Sequence, residues 1–76
     1  MHDIADNDRP IDPRAASEYL TQRGYPTAEA TLAKYRTIGG GPKFLRYGRR
    51  IRYRPSALDE HIASRTRELR NTSEAA

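Results

Sequence analysis

Apolar positions along this chain recur first at helical spacing, then in strict alternation, then at helical spacing again, and those switches set the predicted elements. Residues 1–11 show no such periodicity and are rich in Asp and Asn, so they read as a disordered acidic N-terminal tail. The first helix is expected to start at Asp12 and Pro13. Aspartate is a good N-cap, and proline suits the first helical position because its missing N–H would be unpaired there anyway. Ala16, Tyr19 and Leu20 then fall at i, i+3 and i+4, and Gly24 closes the helix as its C′ residue. Tyr25 and Pro26 make a turn. A second short helix follows from Thr27 or Ala28, with Ala28, Leu32 and Tyr35 on one face and Ala30, Thr31 and Lys34 directed elsewhere. Its cap is open between the two starts: Thr27 has the side chain for it, and Glu29 suits the positive end of a helix dipole. Gly39, Gly40, Gly41 and Pro42 cannot extend it. Two helices joined by a short Gly-containing turn form a helix-turn-helix pattern.

The period then changes. Residues 43–47 and 50–54 are rich in β-branched and aromatic residues, with Ile51 and Tyr53 alternating against Arg50, Arg52 and Arg54. With Gly48 and Arg49 between them, these arms predict a β-hairpin. Pro55 and Ser56 end the second arm and open a last helix carrying Leu58, Ile62 and Leu69. The expected fold is mainly α with a small β-hairpin: a winged helix-turn-helix over residues 12–70, with a disordered C-terminal tail at 71–76.

Length and composition narrow the class. A chain of 76 residues holds one domain with a thin core. It contains no cysteine, and His2 and His61 lie too far apart in sequence to suggest a metal site. No apolar run approaches a membrane span, and the acidic N-terminus is the opposite of a secretory signal, so a soluble, cytosolic protein is expected. The net charge of +4 is modest, but its placement is not. Residues 30–58 contain no acid and carry Lys34, Arg36, Lys43, Arg46, Arg49, Arg50, Arg52 and Arg54. The acids lie outside, at Asp3, Asp6, Asp8, Asp12, Asp59 and Glu60 among others. Segregation of this kind is an electrostatic footprint for phosphate.

The run TLAKYR at 31–36, the GGGP linker at 39–42 and FLRYGRRIRYRPSALD at 44–59 together resemble the small excisionase/AlpA-like branch of the MerR-type winged helix-turn-helix proteins. The resemblance covers roughly residues 13–65, and its most specific part is the wing with the start of the last helix. Two positions depart from it: Ala57 replaces the usual acid and His61 the usual tryptophan, which leaves Tyr35, Tyr19 and Phe44 to fill the core. The resemblance implies a recombination directionality factor that binds several adjacent sites, bends the DNA and assists a tyrosine-recombinase integrase in excising a prophage or integrative element. As the alternative it implies a short transcriptional regulator of such elements. With either role it implies head-to-tail self-association on DNA and a nucleoid-associated, cytoplasmic location in a bacterium, or a phage origin.

The expected contacts with double-stranded DNA divide between two elements. In a helix-turn-helix the second helix enters the major groove, and its N-terminal residues reach base edges. That assigns Thr27, Glu29, Ala30, Thr31 and Lys34 to the reading helix, with Glu29 able to accept from cytosine N4 and Thr31 able to touch a thymine methyl. Arg36 either holds a phosphate or complements the helix dipole. In the wing, Arg49 and Arg50 at the tip suit a narrow minor groove, and Lys43, Arg46 and Arg52 suit phosphates. Tyr19, Tyr35, Phe44 and Tyr53 have the spacing of core residues rather than of a base-stacking platform. No cofactor is expected, and no enzymatic activity: nucleophile–base pairs are missing, and the glycine triplet lacks the Lys-Ser/Thr of a P-loop. An RNA-binding or protein-adaptor module is the reading from another class.

Overall fold

The computed structural model describes residues 8–67. Helix α1 (Pro13–Gln22) starts where Asp12 Oδ1 accepts the Ala15 N–H at 2.8 Å, with Pro13 in the first turn. It ends in a Schellman turn. Tyr25 N–H donates to Leu20 O at 2.9 Å and Gly24 N–H to Thr21 O at 3.0 Å, with Gly24 at φ +90°. Helix α2 (Glu29–Ile38) is capped less well: its N-cap is Ala28, which offers no side-chain bond. The Thr27 hydroxyl turns back to donate to Tyr25 O at 2.9 Å, so it does not serve as the cap. Ser17 Oγ on α1 donates to Thr27 O at 2.5 Å and pins the start of α2 to the first helix.

The linker after α2 threads between helices. A side chain on Gly41 would place its Cβ 2.6 Å from Tyr35 Cβ, so the close approach requires glycine there. On the other side lies helix α3 (Pro55–Arg65), whose Arg65 donates to Gly40 O and sits 5.7 Å over the Tyr35 ring. Strands β1 (Leu45–Tyr47) and β2 (Arg50–Arg52) then pair antiparallel, Leu45 opposite Arg52, Arg46 opposite Ile51 and Tyr47 opposite Arg50. Gly48 has φ +62° and no described non-glycine residue has positive φ, the sign pattern of a type II′ turn over Gly48 and Arg49. The paired strands are three residues each, shorter than the five-residue arms expected from the alternation.

The N-terminal boundary differs from the expected one. Ile11 and Tyr53 exchange both backbone hydrogen bonds, at 2.7 and 2.8 Å, so Ile11 extends the hairpin past its base. Asp8 accepts the Ser56 N–H and the Ser56 hydroxyl, each at 2.8 Å. Ser56 is in the first turn of α3, whose N-cap Arg54 makes no side-chain bond, so a carboxylate 48 residues away does the capping. Residues 8–11 therefore belong to the fold rather than to a tail. Residues 1–7, the tail expected at 71–76 and Leu69 lie outside the described residues.

These connections enclose a small core of Ala16, Leu20, Leu32, Tyr53 and Leu58, all fully buried, with Ile11, Tyr19, Ile51 and Ile62 packed around it. Tyr53 fills its centre, and Arg36 Nη1 donates to its hydroxyl at 2.8 Å. Phe44, expected inside, remains 40% exposed at the edge, its ring tilted 6.3 Å from that of Tyr53. The described chain is mainly helical, three helices and one two-stranded antiparallel hairpin, an arrangement compatible with a winged helix. No described helix is long and apolar enough to cross a membrane.

Two stability effects follow. Replacing Tyr53 by Phe leaves the half-buried Arg36 guanidinium without its acceptor. The expected loss is about 1.5 kcal/mol, or roughly 6–12 °C in a thermal melt followed by circular dichroism. Asp8 is held below its ordinary value of 3.8 by the Ser56 N–H, the Ser56 hydroxyl and the charge of Arg54. A depressed folded-state value makes its contribution complete above about pH 4 and lost as pH falls through the lower folded value. Urea midpoints measured downward from pH 5 are expected to fall less steeply in Asp8→Asn than in the parent.

Candidate nucleic-acid interface

Helix α2 buries Leu32 and turns Ala30, Ala33, Lys34 and Thr37 outward, at i, i+3, i+4 and i+7. Glu29 is exposed beside them in the first turn. Of the residues assigned to base reading, Glu29, Ala30 and Lys34 are exposed and Thr31 is half-buried. Thr27 lies in the turn before the helix with its hydroxyl on Tyr25 O. Arg36 is committed inward to Tyr53. Ala33 and Thr37 complete the outward face and were not assigned from the sequence; extending helical spacing from Ala30 identifies both. Three of its four outward side chains are small, which lets another surface approach the helix backbone closely.

The hairpin separates its cations by face. Residues paired across an antiparallel ladder project to the same side. Arg46 therefore shares a side with Ile51, which packs on the core, whereas Leu45, Tyr47, Arg50 and Arg52 occupy the opposite, outward side. Arg49 stands between the two sides at the turn. Arg46, Arg49, Arg50 and Lys43 are exposed. Arg52 is half-buried and folds back, donating to Ile51 O at 2.8 Å. Tyr47 is 81% exposed and was given no role from the sequence. The two-residue turn was the available signal, because it makes Tyr47 the partner of Arg50.

Four of the six described acids are engaged elsewhere, while Glu29 on α2 and Glu60 on α3 are exposed. Asp12 caps α1 and Asp8 caps α3. Glu18 pairs with Arg14 along α1 at 3.9 Å. Asp59 accepts from the Tyr19 hydroxyl at 2.9 Å and pairs with Arg23 at 3.9 Å, while the Arg23 guanidinium stacks 3.4 Å over the Tyr19 ring. Partial burial, and then the Asp59 bond and charge, push the Tyr19 hydroxyl above its usual 10.0. Both ion pairs among the described residues thus lie outside the basic block. Within it Arg54 sits near the Asp8 carboxylate, whereas the exposed Lys34, Lys43, Arg46, Arg49 and Arg50 make no ion pair among the described residues. No three His, Cys, Asp or Glu side chains gather to hold a metal among the described residues.

His61 lies half-buried on α3 beside the Gly40, Gly41, Pro42 and Lys43 linker. No protein-family model, curated protein or solved structure matches this chain.

Burial, and then the charge of Arg65 one turn along, lower the His61 value from 6.5. A histidine lowered on folding contributes full stability above about pH 6.5, and that stability falls as pH drops from there toward the folded value. An NMR titration of the ring is expected to give a midpoint below 6.5. A midpoint at or above 6.5 would remove His61 as a source of acid sensitivity.

Proposed function

We propose that this chain is a winged helix-turn-helix protein that binds double-stranded DNA, with α2 in the major groove and the β-hairpin as a wing against the adjoining minor groove. The observation that carries this reading is the layout of cations on the hairpin. Arg46 projects from one side, Arg50 from the other and Arg49 from the tip. A ribbon entering a groove with positive charge on both sides reaches phosphates on both walls, while a tip arginine suits the concentrated negative potential between them. The outward face of α2 is suited to a groove floor: Ala and Thr side chains allow close approach and apolar contact with thymine methyl groups, and Lys34 reaches guanine or phosphate.

Arg36 and Thr27 fall out of the contact set in this reading. Arg36 contributes through Tyr53, and Thr27 through the turn that orients α2. Lys34, Lys43, Arg46, Arg49 and Arg50 remain as exposed cations, with the half-buried Arg52 at the margin. The resemblance of residues 13–65 to the excisionase/AlpA-like proteins adds the biological role: an architectural factor that bends attachment-site DNA and assists a tyrosine-recombinase integrase. Phosphate contacts from a wing carry little sequence information, so affinity on this reading comes largely from backbone and groove shape.

If those five cations each neutralise a phosphate, log K is expected to fall with log salt at a slope of about −4.5. Arg49→Ala and Arg50→Ala should each make that slope shallower by about 0.9. Fluorescence anisotropy with a labelled duplex measures both. Structured RNA outcompeting the duplex at equal salt would overturn the reading. Footprints over several tandem sites beside an integrase gene support the excisionase role, whereas one palindromic promoter site would assign the protein to transcriptional control instead.

A further inference from the structure

The outward side of the hairpin is not simply basic. Tyr47 and Leu45 lie there directly opposite Arg50 and Arg52. Tyr47 is 81% exposed, the most exposed large hydrophobic residue among those described, and it adjoins the turn that carries Arg49. Its ring takes no part in the ring and cation contacts among the described residues, which join Phe44 to Tyr53, Arg23 to Tyr19 and Arg65 to Tyr35. The buried core does not extend to this side of the ribbon. An aromatic ring in this position contributes little to holding the hairpin together.

We infer that Tyr47 is a contact residue for duplex DNA, packing its ring against the deoxyribose of the minor-groove wall whose phosphates pair with Arg50. This rests on the reading of the hairpin as a DNA-binding wing. Cross-strand partners hold their Cβ atoms about 5 Å apart on one face, so a phosphate that meets Arg50 brings its own sugar within reach of the Tyr47 ring. The sugar is the apolar part of the backbone, and an aromatic ring with a polar tip matches a surface that is apolar at the sugar and wet at the phosphate. Charge complementarity selects nucleic acid as the occupant of this face. An apolar protein partner would have to cover Arg50 as well, with no acid on this face to neutralise it.

A sugar contact differs from a phosphate contact in one measurable respect. It releases no counterion, so it changes affinity without changing the salt slope. Anisotropy titrations of a labelled mixed-sequence duplex over a salt series, with the full chain, its Tyr47→Ala and Tyr47→Phe variants and Arg50→Ala as reference, test this. Tyr47→Ala is expected to bind about tenfold more weakly at every salt concentration, with the parent slope unchanged. Tyr47→Phe, which keeps the ring, should bind like the parent. Because the side chain is exposed, melting temperatures should stay near the parent value, separating loss of contact from loss of fold. Parent-like binding by Tyr47→Ala, or a slope reduced as in Arg50→Ala, would overturn the inference while leaving the DNA-binding reading in place. A parent chain that fails to bind the duplex would overturn both together.

Discussion

The Tyr53 hydroxyl is the polar group that the rest of the architecture has to accommodate. Tyr53 is fully buried at the end of the hairpin, in a core so small that five side chains make up its centre. A phenol cannot be buried there without a partner for its oxygen, and the partner is the Arg36 guanidinium from the last turn of α2. One bond therefore joins the second helix to the base of the hairpin. The same residue's backbone is paired in both directions with Ile11, which draws the N-terminal segment across the base. From Ile11 the chain leads back to Asp8 at the start of α3 and forward to Asp12 at the start of α1. Helix α2, the hairpin and both helix starts thus meet around a single tyrosine.

That arrangement also explains how the charges divide. A domain this small has little apolar area to bury, so polar connections between elements carry a larger share of its organisation. Four of its six described acids serve that purpose: two cap helices from outside them, one pairs along α1, and one joins α1 to α3 through Tyr19 and Arg23. With those four acids held by the scaffold, Lys34, Lys43, Arg46, Arg49 and Arg50 make no ion pair among the described residues. Their mutual repulsion is tolerable in solvent, where screening is strong, and it is relieved when a polyanion is bound. Scaffold and interface are therefore two parts of one charge distribution, in which arginine serves both: Arg23, Arg36 and Arg65 inside the framework, Arg46, Arg49 and Arg50 outside it.

The two surfaces proposed to meet nucleic acid differ in kind. Helix α2 presents a nearly flat face of small side chains with one lysine, and the hairpin presents long cations on both sides with a tyrosine on one. A flat helix face positions a protein in a groove with modest discrimination between bases. A cationic ribbon adds sequence-independent affinity and responds to groove width. An architectural DNA-bending factor, as proposed here, relies on that second kind of contact.

Local features were legible from sequence because each is decided within a few residues. The Asp12 and Pro13 helix start, the Gly24 terminus, the glycine-led turn at Gly48 and the stop after α2 depend on capping, sterics and backbone φ, and all are found where the residues indicate. The acid-free block was equally plain, and so were the helical spacing of Ala16 and Leu20 and the alternation that points Ile51 inward. The partners of the longer polar side chains were not legible. Arg36 finds Tyr53 at a separation of 17 residues, Thr27 O accepts from Ser17 at 10, and Asp8 reaches Ser56 at 48. Each of these side chains has the same local chemistry whether it meets solvent, phosphate or the fold. Sequence alone therefore determined the elements, their order and the sign of the exposed surface. Only the tertiary structure decided which arginines belong to that surface and which hold it in place, because that choice depends on burying Tyr53 and satisfying its hydroxyl across the chain.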